Sequence, residues 1–196
     1  MTTPKRLIIG ITGATGIQFG IRMLELLKPL PVVTHLVMSA TAEVALAYET
    51  TRKVAEIRDL ADVWHPVNDL GASISSGSFK TMGMIVAPCT IRTMSEIATG
   101  VTTTLLSRAA DVVLKERRRL VLMVRETPLH TGHLRSMTQL SEMGAIIAPP
   151  VPAFYAAPHT LEDMVDHAVG RVLDLFDIET NAVKRWGEDD LPRRRV

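Results

Sequence analysis

Short, mainly apolar runs alternate along this chain with segments in which apolar residues recur every three or four positions. The runs cover 7–11, 32–38, 84–87, 120–124 and 145–148. Each is too short for a buried helix, so each predicts a β-strand. Strands that are apolar at consecutive positions are covered on both faces, which predicts a parallel sheet between two layers of helices. Ile17, Ile21, Leu24 and Leu27 form one helical stripe, and Leu134, Met137 and Leu140 another. Thr160 followed by Asp163 reads as a capping box opening a helix whose apolar side is Leu161, Met164, Val165, Ala168, Val172 and Phe176. The predicted fold is an open α/β sheet of parallel strands with helices on both faces. A single domain over 1–186 and a short C-terminal tail over 187–196 are expected, without internal repeats.

The first strand runs directly into Gly10-Ile-Thr-Gly13-Ala-Thr-Gly16 and then a helix. In α/β proteins a turn of this kind cradles phosphate on backbone N–H groups and a helix N-terminus, with small residues allowing close approach. Dinucleotide enzymes that use NAD place an Asp or Glu about 20 residues further on to hold the ribose. Here the second strand ends instead in Met38 and Ser39, which argues against NAD. The Ser39 hydroxyl fits a flavin phosphate or ribityl chain, and equally an N-cap for a helix starting near Ala40.

The fourth run leads into Ala87-Pro88-Cys89-Thr90-Ile91-Arg92-Thr93 at the carboxyl edge of the sheet, where ligands of open α/β sheets bind. Thr90, Arg92 and Thr93 bring hydroxyl and guanidinium donors there; the alternative is a capped helix start with a surface arginine. Cys89 reads as a small buried residue rather than a nucleophile, having no partner base nearby. Arg108, Asp111 and Lys115 share one helical face, ordinarily a solvated one. The run over 120–124 ends abruptly in Arg125 and Glu126, a pair suited to anion binding with proton transfer, or to a salt bridge closing the strand. His130 and His133 lack a third ligand and suit polar roles at a helix start, so no metal is expected. Pro149, Pro150 and Pro152 stiffen a loop leading to Phe154 and Tyr155.

Composition narrows the choice of partner. Twenty-two basic and 21 acidic residues leave a net charge of +1, without the basic excess of a nucleic-acid binder. No apolar stretch reaches the roughly 20 residues needed to cross a bilayer. One cysteine and no signal-like leader point to the cytoplasm. A hydrophobic share of 46% with only 4% aromatics leaves an aliphatic surplus for contacts between subunits. The basic run over 193–195 is given no role.

Assembled in order, these segments resemble the UbiX-type flavin prenyltransferase family from Lys5 to about Trp186. The resemblance rests on the Gly13-Ala14-Thr15-Gly16 turn, Val37-Met38-Ser39-Ala40, Glu49-Thr50, the stretch from Ala72 through Ser75-Ser76-Gly77 to Phe79, Arg108-Ala-Ala-Asp111, Leu114-Lys115-Glu116-Arg117, Arg125-Glu126-Thr127-Pro128 and Phe154-Tyr155. It implies a Rossmann-like (flavodoxin-like) open parallel sheet, reduced FMN and dimethylallyl phosphate as substrates and prenylated FMN as product, delivered to a UbiD-type decarboxylase, and a homo-oligomer, typically a dodecamer. By the same resemblance Gly13, Ala14, Thr15, Ser39, Thr90, Ile91, Arg92, Thr93 and Arg125 hold FMN. Tyr155, Arg171, Arg108, Lys115 and Trp186 meet the prenyl phosphate, and Glu126, Glu49, Lys115 and Thr15 carry catalysis. Thr15 and Arg92 stand where Ser and Lys are common in the family. Two alternatives are an FMN-dependent decarboxylase of the cysteine-decarboxylase type, with His35 or His65 as its base, and a non-catalytic flavin carrier.

Overall fold

The computed structural model describes residues 4–187. In chain order β1 (Arg6–Ile11) leads to α1 (Ile17–Leu27), β2 (Val33–Met38), α2 (Ala40–Glu49), the short α3 (Val54–Arg58), β3 (Val63–His65), a 3₁₀ turn at Ser73–Ser75, β4 (Gly83–Cys89), α4 (Ile91–Thr99), α5 (Leu105–Lys115), β5 (Arg119–Val124), α6 (Thr131–Glu142) and β6 (Ala145–Ile147). A second 3₁₀ turn at Phe154–Ala156 precedes α7 (Leu161–Asp174). The chain divides into two compact units, Met1–Pro149 and Pro150–Val196. The tail expected over 187–196 lies outside the described residues except for Gly187, as does the basic run over 193–195.

In the first unit the six strands form one parallel sheet in the order β3-β2-β1-β4-β5-β6. The chain reverses its direction of travel between β1 and β4, and the crevice for a ligand opens at the carboxyl ends flanking such a switch. All five expected strands are present. β3, an edge strand with Val63 and Trp64 exposed, is additional. Apolar runs become strands here because helices cover both faces: α1 packs on β1 and β4, while α5 packs on β2, β4 and β5. Ile17, Ile21, Leu24 and Leu27 are fully buried as their spacing predicts. The α6 stripe is covered over part of its length, with Leu140 buried, Met137 packed partly buried against the core and Leu134 half exposed. Among the described residues no helix is long and apolar enough to cross a membrane.

The second unit is organised by α7. Thr160 Oγ1 accepts from the Asp163 N–H at 3.1 Å, and Asp163 Oδ2 accepts from the N–H groups of Thr160 at 3.1 Å and His159 at 2.8 Å, so the predicted capping box forms. The buried side of the helix differs from the predicted one. Leu161 is 75% exposed, and the buried positions are His167, Val169, Gly170, Val172 and Leu173, with Phe176 buried just beyond the helix end.

Candidate functional site

Three helix starts meet the carboxyl ends of β1, β2 and β4, and their backbone donors have different fates. At α1, Gly16 takes φ of 95°, a conformation open to glycine at little cost. The Gly16 and Ile17 N–H groups both donate to Glu49 Oε2, at 2.9 and 3.0 Å. Glu49 is the last residue of α2, and its carboxylate occupies the positive end of the α1 dipole. The phosphate seat expected at that helix start is therefore filled by the chain's own anion. What the first turn still presents is a set of three N–H groups, on Gly13, Ala14 and Thr15, that make no hydrogen bond within the described residues.

At α2 the Ser39 Oγ accepts from the Ala42 N–H at 3.1 Å, so the N-cap reading of this hydroxyl holds. At α4 the Thr90 Oγ1 likewise accepts from the Thr93 N–H at 3.1 Å, with the Thr93 hydroxyl 3.0 Å away. These caps satisfy the third N–H of each helix and leave the first two of α2 (Ala40, Thr41) and of α4 (Ile91, Arg92) without a protein partner among the described residues. Such donors at helix starts suit an anion. The donor set thus fits a flavin mononucleotide: oxygen acceptors along the first turn, and a phosphate at the α2 or α4 start.

Thr12, which the sequence reading passed over, locks the two loops together. Its N–H and hydroxyl donate to the Pro88 carbonyl at 3.2 and 2.7 Å, and its Oγ1 accepts from the Thr90 N–H at 2.8 Å. Arg125 is tied to the same place, since its N–H donates to the Cys89 carbonyl at 3.1 Å. Cys89 itself is fully buried and burial pushes its thiol up, consistent with a packing role.

Arg125 and Glu126 stand at the mouth of this crevice, but both are exposed, and no salt bridge joins them. Neither charge is buried, so neither requires a partner within the fold. They are distinguished instead by being free to act: Arg125 carries no ion pair among the described residues, and Glu126 Oε1 accepts only from the Thr127 N–H, at 3.0 Å. Thr15 and Arg92 are also exposed, Arg92 leaning on Glu96 at 2.9 Å.

Lys115 does not join that pair within one chain. Lys115 ends α5 at the amino edge of the sheet, where β5 begins, whereas Arg125 follows the far end of β5. Six extended residues, roughly 20 Å, lie between. Lys115 Nζ contacts Glu116 at 2.6 Å. Arg108 is clamped to Asp111 at 2.7 Å and to the Ser75 carbonyl at 3.2 Å. Because α5 runs antiparallel to the strand that follows it, Lys115 and Glu126 of one chain stand at opposite edges of the sheet.

In the second unit Tyr155 stands between two aromatic edges. Its ring meets Trp186 at 5.3 Å and His167 at 5.6 Å, both nearly perpendicular, and its hydroxyl lies 3.3 Å from His167 Nε2. Arg171 is bridged by Asp174 at 2.7 Å, and Asp174 also takes Arg185 through two contacts of 3.0 and 3.1 Å. Burial pushes the Asp174 carboxyl up, but the hydrogen bonds from Arg185 and Arg171 outweigh it and hold it below its ordinary value.

His35 and His65 are buried against each other, Nδ1 to Nε2 at 3.0 Å, and His35 is 4% exposed. As candidate bases of a decarboxylase they are occupied with one another. His130 Nδ1 accepts from the Gly132 N–H at 3.0 Å and so caps α6, in line with its expected helix-start role.

An open parallel sheet with a nucleotide-sized donor array at the β1/β4 switch defines a flavin-binding α/β protein, and the Flavoprotein family model matches residues 1–173. A flavin prenyltransferase UbiX of Thauera aromatica is 53% identical over 181 residues, 92% of this chain and 93% of that protein. The crystal structure of AnUbiX in complex with FMN and dimethylallyl pyrophosphate superposes with a TM-score of 0.94 at 49% identity, covering 96% of this chain and all of the other. A dodecameric FMN-dependent UbiX-like decarboxylase from Escherichia coli O157:H7 gives 0.91 at 49% identity, covering 92% and 98%. The chain belongs to the UbiX flavin prenyltransferase family.

Proposed function

We propose that this protein joins a dimethylallyl group from dimethylallyl phosphate to reduced FMN, and that residues 1–186 act as one flavoprotein domain in a dodecamer in the cytoplasm, supplying prenylated FMN to a UbiD-type decarboxylase. When bound, reduced FMN supplies the N5 and C6 positions that accept the dimethylallyl group. The observation carrying this reading is the set of donors on Gly13, Ala14 and Thr15 and at the α2 and α4 starts that have no partner among the described residues, bordered by Arg125 and Glu126, which make no ion pair among them. Ser39, Thr90, Ile91, Arg92 and Thr93 would hold and orient the flavin beside that turn. Arg125 would neutralise negative charge at the crevice mouth. Glu126, with Oε1 held by Thr127, keeps Oε2 to hold or move a proton.

Tyr155 and Arg171 would take the prenyl phosphate, with Trp186 as an apolar wall that keeps water from the departing allyl group. Lys115, at the sheet edge opposite its own chain's crevice, would serve a substrate only in a site shared with a second copy, and Arg108, seven residues earlier on α5, would meet the prenyl phosphate with it. Clustered cations aimed at a developing phosphate dianion lower the barrier to its departure without a metal.

Purified protein incubated with reduced FMN and dimethylallyl phosphate, without added metal, should yield a flavin heavier by one prenyl unit in mass spectrometry. An unchanged flavin mass sinks this reading; carbon dioxide release from a carboxylate substrate would favour the decarboxylase instead. Glu126→Gln should slow turnover by about 10²-fold or more, the usual range for a lost general acid or base, while FMN binding persists.

A further inference from the structure

The second unit contains a buried histidine to which neither the family resemblance nor the reaction assigns a role. His167 is 8% exposed on the packed side of α7, and its Nε2 lies 3.3 Å from the Tyr155 hydroxyl. A buried imidazole on an apolar helix stripe is costly unless it is hydrogen-bonded, and the phenol is that partner. His167 and Arg171 are four residues apart on α7, so one helix face registers both the phenol and the guanidinium. Asp174 then ties Arg171 to Arg185, the neighbour of Trp186, whose ring closes back on Tyr155. His167 also lines a cavity of about 300 Å³ with His159, Asp163 and Lys184.

The chemistry of the pair depends on which atom donates. A phenol whose proton points at imidazole offers an approaching phosphate only oxygen lone pairs, which repel it. A phenol whose oxygen accepts from imidazole Nε2–H has its own proton free for a phosphate oxygen, and each bond in such a chain polarises the next. We propose that His167 is a positioning residue that donates from Nε2 to the Tyr155 oxygen and so presents the phenol as a hydrogen-bond donor to the phosphate of the prenyl substrate. The inference rests on the reading that Tyr155 binds that phosphate.

The test is steady-state prenylation, with oxidised-FMN binding measured alongside. His167→Phe keeps an aromatic of similar volume without the donor and should raise KM for dimethylallyl phosphate about tenfold, the usual size of one lost hydrogen bond to a charged group, with kcat changed less than threefold and FMN binding unchanged. His167→Gln, whose amide reaches the same point, should restore KM to within about threefold of the parent, and His167→Asn, one carbon shorter, should not. The Gln and Asn variants decide the matter if the Phe variant fails to fold. Tyr155→Phe should raise KM similarly, and adding His167→Phe to it should cost nothing more. If Tyr155→Phe raises KM and His167→Phe does not, or if Gln and Asn behave alike, the positioning role is overturned. If Tyr155→Phe leaves KM unchanged, the reading of Tyr155 itself fails.

Discussion

His35 on β2 and His65 on β3 share one hydrogen bond inside the sheet edge, and each ring is more stable uncharged. Burial first, then the proximity of His65 and Arg6, lowers His35 from 6.5 to about 4, with Asp62 opposing; burial likewise lowers His65, with Asp69 opposing. Because the folded state resists the proton that the unfolded chain accepts, stability is complete above the ordinary histidine value and falls as pH drops from 6.5 toward about 4. At about 1.4 kcal/mol per unit the His35 loss is on the order of 2–3 kcal/mol. Thermal melts between pH 7 and 4.5 should show this fall, and His35→Gln should flatten it; equal slopes would mean that other groups control acid stability. Nothing in the spacing of His35 and His65 announced their pairing, because the register between strands decides it.

At the scale of elements, α1 lies so close to the sheet that Gly20 has no room for a side chain. A Cβ there would collide with the Ala87 carbonyl oxygen and sit 2.8 Å from the Ile11 side chain. Gly20→Ala gains up to about 1 kcal/mol in helix propensity but loses about 1–3 kcal/mol to overpacking, and it pushes on the β4 end that leads to Thr90. A lower melting temperature with weaker FMN binding is expected; a more stable, fully binding variant would show that the contact relaxes freely. The strands and α1 were legible in the sequence because buried parallel strands and a packed helix leave unbroken or regularly spaced apolar residues. β3 was not, being three residues long and exposed at two of them. The α7 stripe was misjudged by treating every apolar residue as buried, while His167, polar and buried, was passed over. Glu49 entered only through the resemblance, since its contacts lie 32 and 33 residues away in the chain and leave no local signature.

At the scale of the whole molecule, several large apolar side chains remain open to solvent. Tyr48 is 88% exposed in the first unit, and Phe154, Trp186, Leu161 and Val151 are 72–76% exposed in the second. With a mean hydropathy of +0.18, the chain gains by covering them in an assembly. Light scattering on the purified protein should give the mass of twelve chains, as in the dodecameric relative, and burial of apolar surface predicts that the assembly persists in high salt. A monomer at working concentration would remove the basis for a shared site using Arg108 and Lys115. The candidate site was legible as a set of residue types but not as a geometry, since nothing local in the sequence says that α5 carries Lys115 to the opposite sheet edge.

The carboxylate of Glu49, seated on the start of α1, also sorts the two ends of a bound nucleotide. A fixed negative charge beside the first turn makes Gly13, Ala14 and Thr15 a poor berth for a dianion and a good one for neutral oxygens such as ring carbonyls or sugar hydroxyls. The doubly charged end would be steered toward the α2 and α4 starts, whose first two N–H groups have no carboxylate partner among the described residues. A nucleotide bound there would thereby be sorted head from tail by the backbone and one carboxylate.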